Sequence, residues 1–206
     1  MKQLFLSSSF STVAKNLIDF AGDNLKGKRV TFIPTASVPE KVTFYVASGR
    51  KALEKLGMTV DELELTSATR SEIKSKLRGN DYIYVSGGNT FFLLQEMKKT
   101  GADEIIKNEI ASGKIYIGES AGSMILSPDI DYAKEMDDIK KAPGLKNTSA
   151  LSAVDFYPLP HYTNFPFKKA AEKIISQYQS KLTLQPISNS QVILVKGDIM
   201  KIENKK

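Results

Sequence analysis

The 206-residue chain has no cysteine and a single histidine, His161. Lacking cysteine, it can form no disulfide, no thiolate metal site and no cysteine nucleophile. The scarcity of histidine narrows acid–base chemistry: a hydroxyl nucleophile that needs an imidazole base can draw only on His161. Long apolar runs are also missing. No stretch approaches the ~20 apolar residues of a membrane span. The apolar start, Leu4-Phe5-Leu6, is too short for a secretory leader and suits a first β-strand. The expectation is a cytoplasmic protein with no membrane partner. Arginine is limited to Arg29, Arg50, Arg70 and Arg78. Despite the net charge of +6, lysines such as Lys51, Lys55, Lys98 and Lys99 read as solvated helix faces, and no nucleic-acid partner is expected. Neither G-x-G-x-x-G near the first strand nor G-K-S/T occurs, so no dinucleotide or other cofactor is expected.

What is present is an alternation of strand and helix patterns. Strands are expected over 4–7, 29–33, 59–65 and 82–85, then in the run before Glu119, over 156–159, and as closing strands over 182–186, 192–195 and 199–202. Between them, helical spacing appears over 13–25 with Ser9 or Ser11 as N-cap, and over 41–56, 72–77, 90–100, 103–112 and 167–178. Strands apolar on both faces imply a mostly parallel sheet covered by helices on each side, a three-layer α/β/α sandwich in one domain over 1–206. Ligands of such sheets collect at the carboxyl ends of the strands.

One strand end has the form of a nucleophile elbow. In Tyr116-Ile117-Gly118-Glu119-Ser120-Ala121-Gly122, an apolar strand turns at a serine and leaves as a small-residue helix, and the spacing G-x-S-x-G is met by Gly118, Ser120 and Gly122. Side chains two residues either side of such a serine would strike the neighbouring backbone. The N–H of Ala121 then points where a substrate oxyanion would lie, and a second donor is expected from Gly88 in Ser86-Gly87-Gly88-Asn89-Thr90. His161 follows another expected strand, in Pro160-His161-Tyr162-Thr163-Asn164. The charged stretch holding Asp129, Asp131, Glu135, Asp137 and Asp138 lacks ligand spacing for a metal and reads as a solvated face, or as a pocket wall and source of an acid.

These blocks, Tyr84 to Phe91, Tyr116 to Gly122 and Phe156 to Asn164, occur in the same order in the S51 serine peptidases that the chain resembles over almost its whole length, a family whose fold is similar to the class I glutamine amidotransferases and so flavodoxin-like. The resemblance implies a serine-type exopeptidase acting on short peptides, with an N-terminal aspartate as one candidate first residue, as a monomer or homodimer. Ser120 would be the nucleophile, His161 the base, and Gly88 and Ala121 the oxyanion donors. Asn89, Thr90, Glu119, Thr163 and Asn164 would surround the substrate. The family's triad acid aligns with Glu135, with Asp137 and Asp138 as alternatives, and in the related cyanophycinases the corresponding glutamate falls near Asn189. Two departures stand out: Glu119 occupies the variable elbow position, and the family's arginine beyond the histidine is represented only by Lys168, Lys169 and Lys173. The same serine would also serve an esterase or acyltransferase, and a non-catalytic binding protein could keep the fold.

Overall fold

The computed structural model describes residues 1–22 and 24–206. The chain opens with β1 (Gln3–Ser7) and two short helices, α1 (Phe10–Val13) and α2 (Asn16–Ala21), where the apolar spacing had suggested one longer helix. Then come β2 (Arg29–Ile33), α3 (Phe44–Lys55), β3 (Thr59–Glu62), α4 (Arg70–Gly79) and β4 (Tyr82–Val85). The helices α5 (Thr90–Thr100) and α6 (Ala102–Ala111) lead to β5 (Ile115–Glu119), from which the four-residue α7 (Ala121–Met124) departs. The last part holds β6 (Tyr157–Leu159), α8 (Lys168–Tyr178), β7 (Leu184–Pro186), β8 (Gln191–Lys196) and β9 (Ile199–Asn204).

Seven of the strands form one sheet in the order β3-β2-β4-β5-β1-β8-β9. The strands from β3 to β1 run parallel, and the sheet closes with β8 antiparallel to β1 and β9 antiparallel to β8. Along β3-β2-β4-β5 the order is that of a flavodoxin-like sheet, with the chain's first strand in the fifth place. Period-two alternation divides the core between the two faces. Leu4, Leu6, Ile83, Val85 and Tyr116 point to one apolar layer, and Phe5, Phe32, Tyr84 and Ile117 to the other. Helices cover both, completing the α/β/α sandwich.

The expectation for 182–186 needs correction. Leu184–Pro186 does not extend the central sheet but pairs in parallel with β6 in a separate two-stranded sheet. This small sheet carries the segment that follows β6 to the carboxyl ends of β1 and β5. There Tyr162 N–H donates to Ile187 O at 3.0 Å, and Ile187 N–H to Leu159 O at 3.0 Å.

Candidate active site

The elbow owes its shape to close backbone packing. A side chain at Gly122 would stand 2.1 Å from the carbonyl oxygen of Val85, and one at Gly118 would stand 2.5 Å from that of Gly122. The turn places Ser120 at φ 50°, ψ −109°, a conformation that non-glycine residues seldom adopt outside sites that constrain them. The Ser120 N–H donates to Ser7 O at 2.8 Å and Ser123 Oγ–H donates to the same oxygen at 2.9 Å, tying the turn to the end of β1. The hydroxyl is thereby fixed at the carboxyl edge of the sheet.

His161 meets it there. Nε2 lies 2.9 Å from Ser120 Oγ, across a separation of 41 residues. On the far side, Nδ1 lies 2.8 Å from Asn189 Oδ1. With the Asn189 amide assigned oxygen toward the ring, Nδ1–H donates to it and Nε2 is left as the acceptor for the serine proton. Phe167 stacks on the imidazole at a centroid distance of 4.9 Å. The backbone of His161, at φ 61°, is held by its N–H donating to Ser8 Oγ at 2.9 Å, and Ser8 Oγ–H donates to Ile187 O at 3.1 Å. Burial lowers the imidazole's pKa from its ordinary value, and the Asn189 hydrogen bond opposes this only in part. An ionisation in the ordinary imidazole range, natural to expect of an exposed base, is therefore displaced to the acid side.

Other expected residues take other places. Glu135 is not against the imidazole: its Oε2 lies 2.7 Å from Lys173 Nζ in an ion pair. Asp138 Oδ1 accepts from Lys140 N–H at 2.9 Å, capping a short turn. Asp137 Oδ2 accepts from the N–H and the hydroxyl of Thr90, at 2.9 and 2.5 Å. Thr90 thus anchors a carboxylate in the cavity wall. Asn89 is buried; its Oδ1 accepts from Phe92 N–H at 2.9 Å as the N-cap of α5, and its amide donates to Asp138 O at 3.1 Å. Asn164 Oδ1 accepts from Asn189 N–H at 2.8 Å, so Asn164 orients the residue that orients the histidine. Thr163 is exposed at φ 68° and is not in the cavity lining.

Glu119 lines the cavity, but its carboxylate is turned inward. It is 3% exposed, with Oε2 accepting from Tyr84 O–H at 2.6 Å and Oε1 from Phe10 N–H at 2.8 Å. Burial raises its pKa to about 7, against the lowering effect of hydrogen bonds from Tyr84, Phe10 and the Gly87 backbone. The carboxylate is thus a buried strut beneath the elbow. Strand parity carries that signal, because Glu119 shares a face with Ile115 and Ile117, both in the Phe5–Tyr84 layer.

The glycine pair closes the other side. Gly88 sits at φ 135°, pressed so closely on Ala36 that a Cβ would lie 2.1 Å from its carbonyl oxygen. Neither the Gly88 N–H nor the Ala121 N–H has an acceptor among the described residues. Gly88 lines the same cavity as Ser120, and Ala121 follows the serine in the chain. That cavity, of about 570 Å³, is lined by Tyr45, Gly88, Ser120, Asp137, His161 and Phe167 among others. Lys168, Lys169 and Lys173 are not in the lining; Lys141 is, and its Nζ is 2.8 Å from Glu40 Oε1.

Fold and site together define a three-layer α/β protein with a serine held in an elbow turn against a histidine. The family model of peptidase family S51 matches residues 4–203, and the chain belongs to that family. It is 56% identical over 197 residues to an uncharacterized peptidase of Listeria monocytogenes, covering 96% of both chains. A Nostoc protein named peptidase E is 30% identical over 169 residues, 79% of this chain and 66% of its own. A Listeria monocytogenes EGD-e crystal structure described as a peptidase E protein superposes with a TM-score of 0.96 at 53% identity, covering 100% of both chains. The protein is a peptidase.

Proposed function

We propose that the chain hydrolyses short peptides as a serine-type exopeptidase through an acyl-enzyme on Ser120. The observation that carries this reading is the continuous file Ser120 Oγ, His161 Nε2, His161 Nδ1, Asn189 Oδ1, with contacts of 2.9 and 2.8 Å. His161 takes the proton of Ser120 as the oxygen attacks the peptide carbonyl, and the oxyanion is received by the N–H groups of Gly88 and Ala121. The imidazolium then gives its proton to the leaving amine, and water, activated by the same nitrogen, releases the acid product. Asn189 takes the third position. An amide there fixes the tautomer and ring orientation, as in cysteine proteases with a Cys-His-Asn set, but lends no negative charge to the imidazolium. The cavity's size suits a substrate of a few residues.

The test is covalent labelling with a fluorophosphonate. Wild type is expected to be labelled at Ser120, and Ser120→Ala and His161→Ala to be labelled at least ~10³-fold more slowly. Equal labelling of His161→Ala, or none of the wild type, overturns the assignment.

A further inference from the structure

In the cavity wall, one hydroxyl has no partner. The Oη of Tyr45 is buried from solvent and makes no hydrogen bond, the one such side-chain atom among the described residues. Its ring borders the same spot at Gly87 as the nucleophile: a point 3.2 Å from Ser120 Cβ is 3.6 Å from Tyr45 Cε2. A buried donor left unsatisfied is costly, so this one is arranged for an acceptor that arrives with a ligand. The character of the ligand follows from what surrounds it. Burial and the nearby carboxylates of Glu40, Glu119 and Asp137 push the phenol above its ordinary range, so it stays a donor. Asp137 spends Oδ2 on Thr90, while its Oδ1 has no hydrogen bond among the described residues and the residue lines the cavity. The one lysine of the lining, Lys141, is already paired with Glu40. This end of the cavity is therefore negative. It repels a carboxylate side chain, attracts an ammonium group, and offers a neutral acceptor one hydrogen bond. Phe44 packs against the Tyr45 ring at 6.0 Å between centroids, and Met124 and Met136 add apolar surface to the same cavity.

We propose that this end is the subsite for the first residue of the peptide, with Asp137 Oδ1 accepting from the free α-ammonium, Tyr45 O–H donating to the carbonyl of that first residue alongside the Gly88 and Ala121 N–H groups, and the apolar walls taking an uncharged side chain in preference to aspartate. The proposal rests on the peptidase reading but concerns binding, so it is measured apart from the chemistry. Ser120→Ala, which forms no acyl-enzyme, is titrated calorimetrically with Leu-Ala, Asp-Ala and N-acetyl-Leu-Ala. Leu-Ala is expected to bind at least ~10-fold tighter than either of the others. In the Asp137→Asn background the preference for the free amine over the acetylated peptide is expected to shrink at least ~5-fold, which a general loss of packing would not do selectively. Tyr45→Phe, which removes only the oxygen, is expected to weaken Leu-Ala about 5- to 10-fold. Equal or tighter binding of Asp-Ala or of the acetylated peptide overturns the proposal, even if fluorophosphonate labelling succeeds. The stated preference in Ser120→Ala supports it even if labelling fails, and this arm stands if either second variant does not fold.

Discussion

The two residues that meet at the floor of the cavity arrive there by different kinds of structure. Ser120 stands at the end of β5, a strand buried along its whole length between β1 and β4, in a turn shaped by backbone-to-backbone contact at Gly118 and Gly122. His161 stands outside the central sheet, beyond a two-stranded ribbon, and a few hydrogen bonds hold it: Ser8 on its N–H, Asn189 on its ring, and Asn164 behind Asn189. Ser120 is thus placed by the fold as a whole, and His161 by single side chains. Damage to the first half should appear as lost folding, and damage to the second as lost activity on an intact fold.

The largest effect is expected at the elbow. Gly122→Ala sets a methyl group 2.1 Å from Val85 O, where only backbone can move aside. Overpacking of this kind is expected to cost about 3 kcal/mol or more, read as a fall in the thermal midpoint or as insoluble protein. A variant with the wild-type midpoint would mean that the elbow is not the rigid half.

Next comes Asn189. Asn189→Ala leaves Nδ1–H without its acceptor and frees the ring to turn, so kcat is expected to fall about 10- to 100-fold with little change in the midpoint. Asn189→Asp distinguishes orientation from charge. In the wild type, burial holds the imidazole below its ordinary pKa, so the neutral, proton-accepting form persists into more acid solution and the acidic limb of kcat/KM lies below the usual histidine range. A carboxylate against Nδ1 favours the imidazolium, so the limb should move toward higher pH. A profile that stays in place would remove Asn189 from the relay.

The same contrast governs what could be read from the residue order. The elbow was legible because each position of G-x-S-x-G has a steric reason, and the close contacts at Gly118 and Gly122 supply it. His161 was legible by scarcity. The Gly87-Gly88 pair read as a place where a ligand meets the backbone, and the close approach that requires glycine at position 88 is to Ala36. The partner of Nδ1 was legible only through the family resemblance, which offered Asn189 beside Glu135, Asp137 and Asp138. It comes from the loop before β8, 28 residues beyond the histidine, and no periodicity relates the two positions. The acids of 129–138 looked like candidates because they lie near the elbow in sequence, yet the short turns there aim Glu135 at Lys173 on α8. Glu119 was legible in part: adjacency to the serine placed it at the cavity, which it lines, whereas alternation along β5 turns its carboxylate toward Tyr84 and Phe10.

A smaller effect is expected at Ser8, which touches the backbone rather than the ring. Ser8→Ala deletes the acceptor of the His161 N–H and the donor to Ile187 O. The ring keeps Asn189 and Phe167, so kcat should fall only about 3- to 10-fold, with KM for a neutral dipeptide nearly unchanged. A loss as deep as that of Asn189→Ala would show that the positive-φ backbone at His161 depends on this one hydroxyl.

The smallest effect is expected where sequence position pointed most directly. Glu135 sits in an ion pair with Lys173, whose side chain is 58% exposed, and such pairs contribute about 0–1 kcal/mol. Glu135→Gln removes the charge and keeps the shape, so kcat/KM should stay within about twofold of wild type and the acidic limb should not move. A carboxylate acting on the imidazole would behave otherwise. Its removal would strip charge from the imidazolium and shift the limb to lower pH, the opposite sense to Asn189→Asp. Measured side by side, the two variants decide which residue the histidine leans on: a limb that moves for Glu135→Gln and stays for Asn189→Asp would reverse the assignment.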